Sequence, residues 1–130
     1  MALVDTNVIS ELLRRAPDAQ VVRWFEQARD VAVSVVTVDE IVFGLTRRAM
    51  HPLRERFDAF LAAAQVLEID ARVARRAGEL RGSLAARGIV RAQPDMLIAA
   101  TAQVHALTLV TRNVRDFEHC GIAVMNPFGV

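Results

Sequence analysis

The stretch Ala2-Leu-Val-Asp-Thr-Asn-Val-Ile-Ser-Glu-Leu-Leu13 sets the fold class. It reads as a short apolar strand, residues 2–5, that ends on an acid and passes at once into a helix through Leu13. The same succession recurs along the chain. After a turn at Pro17-Asp18, the apolar residues Val21, Val22, Trp24, Phe25 and Ala28 repeat at helical spacing over residues 18–29, and the β-branched run 31–36 is a strand. Thr37 opens a helix to about Met50. Pro52 breaks that pattern, and residues 53–65 form an amphipathic helix with Phe57, Phe60 and Leu61 on one side. Residues 66–69 are a short strand, and Asp70 caps a long helix that reaches Arg87 and stops at Gly88. Residues 94–105 are apolar on nearly every side, which predicts a buried helix. Residues 107–110 are a strand, 113–119 a helical turn and 122–125 the last strand. Such alternation predicts an α/β domain, a three-layer α/β/α arrangement around a central, mostly parallel sheet of about five strands, with right-handed crossovers placing helices on both faces.

A chain of 130 residues, 53% of them hydrophobic, fits one domain spanning residues 1–130 and can bury a sizeable core. No apolar run reaches the roughly 20 residues that a membrane span requires, and Asp5 and Glu11 interrupt what a signal peptide would keep apolar, so a cytoplasmic protein with no membrane partner is expected. The single cysteine, Cys120, excludes an internal disulfide scaffold and a cysteine-paired zinc site. All 16 basic residues are Arg. Without Lys, Schiff-base and Walker-type chemistries are closed to this chain. A net charge of +1 is too small to hold nucleic acid by general electrostatics, so a nucleic-acid partner would be contacted locally.

In an open α/β sheet, ligands bind outside the carboxyl ends of the strands. Asp5 ends the first strand, Glu40 lies in the first turn of the helix after the second, Asp95 opens the buried helix, and Asp116 follows the strand 107–110. Each has a plain structural reading. Thr37-Val-Asp-Glu40 matches a capping box, Asn113-Val-Arg-Asp116 resembles the same device, and Asp95 beside Pro94 places favourable charge in a helix's first turn. Asp5 is different: an acid ending a buried strand calls for a cation or an arginine opposite it. Capping gives these acids no reason to meet, whereas a shared edge does. Clustered carboxylates need a divalent cation to stay ionised, and oxygen-only ligands select Mg²⁺ or Mn²⁺ over zinc. His51, His105 and His119 fall in no paired ligand pattern. A hard cation in an acidic pocket suits phosphodiester cleavage.

Four stretches taken together resemble the PIN-domain ribonucleases, and among them the VapC-type toxins of bacterial type II toxin–antitoxin pairs. These are Leu3-Val-Asp-Thr-Asn-Val-Ile-Ser-Glu-Leu12, Ser34-Val-Val-Thr-Val-Asp-Glu-Ile41, Asp95-Met-Leu-Ile-Ala-Ala-Thr-Ala102, and Leu107-Thr-Leu-Val-Thr-Arg-Asn-Val-Arg-Asp-Phe117. The resemblance implies a PIN-like fold and a Mg²⁺-dependent endoribonuclease with Asp5, Glu40, Asp95 and Asp116 as its acids. Asn7, Thr111 and Asn113 match polar positions that accompany the acids, as supporting or substrate-orienting groups, with helix capping the alternative for the two asparagines. Glu40 rather than the adjacent Asp39 is the implied ligand, because one helical step turns Asp39 about 100° away. Also implied are RNA products with 5′-phosphate and 3′-hydroxyl ends, an RNA target in translation such as transfer RNA, silencing by a VapB-type antitoxin, and a homodimer. Val21, Trp24 and Phe25 are candidates for an antitoxin groove, against the plainer reading as core. Arg112, Arg47 and Arg48 are candidates for substrate phosphates, against ordinary solvated surface. A haloacid-dehalogenase-like phosphatase also begins with an acid after an apolar strand, but its second aspartate is Asn7 here and its lysine is absent. A response-receiver domain fails on the same missing lysine, while an inactive PIN-like binding module is opposed by the four intact acids.

Overall fold

The computed structural model describes residues 1–129. Five strands, β1 (Ala2–Val4), β2 (Val31–Ser34), β3 (Gln65–Leu67), β4 (Thr108–Val110) and β5 (Val124–Met125), form one sheet in the order β3-β2-β1-β4-β5. Every neighbouring pair is parallel, with Leu3 opposite both Ala32 and Leu109, and Val110 opposite Met125. Six α-helices connect them: α1 (Thr6–Leu12), α2 (Ala19–Gln27), α3 (Val35–Arg47), α4 (His51–Ala63), α5 (Ala71–Ala86) and α6 (Gln93–Val104). A 3-10 helix, Val114–Phe117, follows β4.

Strand side chains alternate between two cores, as the pleat requires. Leu3, Ala32, Leu67 and Leu109 face α5 and α6, meeting Val73, Ala77, Leu80, Leu84, Met96 and Ile98. Val4, Val33 and Val110 face the other way, toward Val8, Val21, Ile41, Leu45 and Phe57 from α1 to α4. This is the expected three-layer α/β/α sandwich. The chain lays down β1, β2 and β3 outward in one direction, then returns to the far side of β1 for β4 and β5. The reversal opens a crevice at the carboxyl ends of β1 and β4, where such sheets bind ligands.

Local signals held at most boundaries. Asp18 caps α2 through the amides of Gln20 and Val21, and Asp70 caps α5 through that of Val73. Gly88, at φ +80°, ends α5 in a Schellman turn, with Gly88 N donating to Ala85 O and Ile89 N to Leu84 O. The helix α6 buries Met96, Ile98, Ala99, Ala100, Thr101 and Ala102, as its apolar surround required.

Several strand ends shift by one or two residues, β2 stopping at Ser34 rather than 36, β3 at Leu67 rather than 69 and β5 starting at Val124 rather than 122, and two helix starts differ in their signal. The helix expected to open at Thr37 begins at Val35, because Ser34 caps it by accepting from Val36 N at 3.1 Å. Pro52 does not break the chain before residue 53; it lies in the first turn of α4, where its missing N–H costs nothing.

Candidate active site

Asp5 is the N-cap of α1 and is only 5% exposed. No arginine answers its charge. Its Oδ1 accepts from Thr6 N at 2.8 Å, and its Oδ2 accepts from Thr111 Oγ1 at 2.8 Å and Asn7 Nδ2 at 3.2 Å. Three neutral donors hold the carboxylate, yet burial still raises its pKa, with the nearby charge of Glu40 adding to the rise. Asn7 also donates from Nδ2 to Thr111 Oγ1 at 3.1 Å and accepts Arg112 N on Oδ1 at 3.0 Å, tying the start of α1 to the end of β4. Thr111 Oγ1 further accepts from Asn113 N at 3.1 Å. Asn7 and Thr111 thus both hydrogen-bond to the Asp5 carboxylate and to each other. Asn113 makes no side-chain cap, and its backbone serves instead, with its carbonyl accepting Asp116 N at 3.1 Å.

The capping-box reading of Thr37 and Glu40 is overturned. With Ser34 as the cap, Thr37 lies inside α3, fully buried, and its hydroxyl meets Thr6 Oγ1 at 3.0 Å. Thr6 Oγ1 donates to Glu40 Oε1 at 2.6 Å. The glutamate is thus released from its own backbone and turned toward the residue next to Asp5. Thr6 is a site residue that sequence reading passed over, although it stands between two residues, Asp5 and Asn7, that drew attention.

Asp95 lies half-buried in the first turn of α6, and Asp116 is exposed on the 3-10 helix. The carboxyl of Asp95 is pushed up to about 6, first by burial and then by the charges of Asp5, Asp116 and Glu40. All four acids therefore share one electrostatic neighbourhood at the carboxyl edge of β1 and β4. They do not form a closed ligand shell: among the described residues, no three His, Cys, Asp or Glu side chains converge as a metal-holding group.

Arg47 and Arg48 line a groove of about 600 Å³ that has Glu40 in its wall, together with Arg14, Arg15 and Arg56. Arg112 sits elsewhere, with its guanidinium 4.6 Å from the Phe128 ring centre. The three residues named as candidates for an antitoxin groove differ in exposure on α2. Val21 is fully buried against the sheet, whereas Trp24 and Phe25 are half-buried, Trp24 packed on the same core and the Phe25 ring 5.9 Å from that of Phe60. Trp24 borders a surface depression beside Met125 and Phe128. No helix among the described residues is long and apolar enough to cross a membrane.

Comparison with known proteins agrees with this geometry. The PIN domain family matches residues 2–122. The chain is 36% identical to Toxin FitB of Neisseria gonorrhoeae, over 98% of this chain and 99% of that one. It is 30% identical to the tRNA(fMet)-specific endonuclease VapC of Shigella flexneri, over 92% and 91% of the two chains. In three dimensions it superposes on the crystal structure of FitAcB from Neisseria gonorrhoeae with a TM-score of 0.92 at 35% identity, covering 100% of both chains. The chain belongs to the PIN-domain family, among its VapC-type ribonuclease toxins.

Proposed function

We propose that this protein is a Mg²⁺-dependent endoribonuclease, active in the cytoplasm, that cuts transfer RNA or another RNA of translation and is neutralised by a VapB-type antitoxin. The observation that carries the reading is the placement of Asp5, Glu40, Asp95 and Asp116 along one sheet edge, without a closed ligand shell but near enough for the other three charges to raise Asp95. Asp5 and Asp95 both have raised pKa values, and a place where carboxylates ionise reluctantly is one where positive charge is stabilised. Its donors are all oxygen, which fits Mg²⁺ or Mn²⁺. Bound there, a divalent cation supplies Lewis acidity and a water of lowered pKa. The chain's own part is positioning: Thr111 and Asn7 fix Asp5, Thr6 fixes Glu40, and Asp95 gives up its proton as positive charge enters. Arg47 and Arg48, in the groove that shares Glu40, stand ready to hold RNA phosphates on the approach to the acids. Membership among the VapC-type toxins supports the antitoxin and a homodimer, and the relative named as a tRNA(fMet)-specific endonuclease supports a transfer-RNA target.

Incubation of the purified protein with total RNA and Mg²⁺, followed by sequencing of the new ends, tests the reading. Cuts concentrated in transfer RNA and abolished by chelator are expected. Cleavage that persisted in chelator would remove the cation from the proposal, and intact RNA in every condition would remove the activity.

A further inference from the structure

Arg91 lies in the segment between α5 and α6, two residues before α6 begins at Gln93. Its Nη1 donates to Arg115 O at 2.8 Å and its Nη2 to Glu118 O at 3.3 Å, so one guanidinium grips the backbone on both sides of Asp116. The 3-10 helix that carries Asp116 is thereby tied to the segment leading into the first turn of α6, which carries Asp95. The third nitrogen of the guanidinium is left without a partner. Arg91 Nε is buried without a hydrogen-bond partner, the one such side-chain atom among the described residues. A guanidinium kept at that cost is typical of a site whose geometry is fixed for function. Its charge also opposes the rise at Asp95.

We infer that Arg91 is a positioning residue, whose two-pronged hold on the carbonyls of Arg115 and Glu118 sets Asp116 against Asp95. This rests on the ribonuclease reading for its consequence, though not for its geometry. Planarity matters, because two carbonyls at a fixed separation match the guanidinium fork, whereas an ammonium reaches one of them at a time.

Arg91→Gln and Arg91→Lys test it by two readouts. Amide hydrogen exchange, which needs neither RNA nor cation, should quicken at Asp116 and Glu118 by about tenfold or more in Arg91→Gln while the sheet amides of Val4 and Leu109 stay protected. RNA cleavage should fall about 10- to 100-fold in kcat with little change in KM, as for loss of a group that orients another, and Arg91→Lys should recover part of it. Adding Arg91→Gln to Asp116→Asn should then cost nothing beyond Asp116→Asn alone. Unchanged exchange at Asp116 and Glu118 would overturn the inference. So would faster exchange throughout the sheet in both variants, or full additivity with Asp116→Asn, since each makes Arg91 a general stabiliser. Failure of the ribonuclease reading would show separately, as a wild-type protein that cleaves nothing.

Discussion

Asp95 is raised by burial and then by the charges of Asp5, Asp116 and Glu40, and its behaviour with pH follows from that. Its folded pKa of about 6 lies above the ordinary aspartate value of about 3.9, so the folded chain holds this proton more tightly than the unfolded chain does. The resulting stabilisation is full below about pH 4 and is lost as pH rises to about 6, where the carboxylate ionises against its neighbours. Asp95→Asn escapes that loss. In chelator, melting curves should therefore show Asp95→Asn gaining on the wild type between pH 4 and pH 7, with Mg²⁺ narrowing the gap at pH 7; a gap independent of pH would mean that Asp95 sits apart from the other acids. Of the four acids, Asp5 was the most legible in the sequence, because a charge closing an apolar strand has few structural explanations. Its partners within the chain, Thr6, Asn7 and Thr111, are neutral, so of the two counter-charges expected opposite it, the arginine is not found among the described residues.

Helix α3 shows where sequence reading lost the local structure. Val35, Val36, Thr37 and Val38 are β-branched, and their propensity extends the strand past Ser34. Tertiary packing overrides that preference: Ser34 turns the chain, and Ile41 and Leu45 bury one face of the helix in the core shared with Phe57. The two-residue shift frees Glu40 from the capping box and places Thr37 under Thr6. A pair of substitutions separates the alternatives. Ser34→Ala should cost about 1 kcal/mol in chemical denaturation, the usual loss of a helix cap, with the active-site contacts left in place. Thr37→Ser keeps the buried hydroxyl beside Thr6 and should preserve most of the activity. Equal stability of Ser34→Ala and wild type would return the helix start to Thr37. By contrast, the cap Asp70 and the terminating Gly88 were legible, since each acts within a few residues of chain, whereas Asp18 read only as part of a turn and is in fact the cap of α2.

At the scale of the whole molecule, strand alternation and crossover direction follow from general rules, and both cores have the composition that those rules require. Loss of packing in the sheet should accordingly be costly everywhere. Leu109, fully buried between β1, β5 and the α5–α6 layer, is a direct probe: Leu109→Ala should lose about 2–5 kcal/mol of stability by denaturant titration, and a loss under 1 kcal/mol would contradict its place in the core. The parts that sequence could not supply are contacts between distant segments, such as the Thr6–Glu40 bond and the grip of Arg91 on Arg115 and Glu118, because no local pattern marks them. The stripe of Val21, Trp24 and Phe25 divides between the two readings: Val21 serves the interior, while Trp24 and Phe25 stay half-buried at the surface of α2. What the topology does secure is the place of the site, at the reversal between β1 and β4. The most direct test of that site is the cleavage rate of one defined RNA in Mg²⁺, measured for the wild type and for Asp5→Asn, Glu40→Gln, Asp95→Asn and Asp116→Asn, with folding checked by melting. Every variant should fold and lose at least about 100-fold in rate, and the wild type should stop in chelator. Full activity in any folded variant, or undiminished wild-type cleavage in chelator, would contradict a cation-dependent centre built from these four acids.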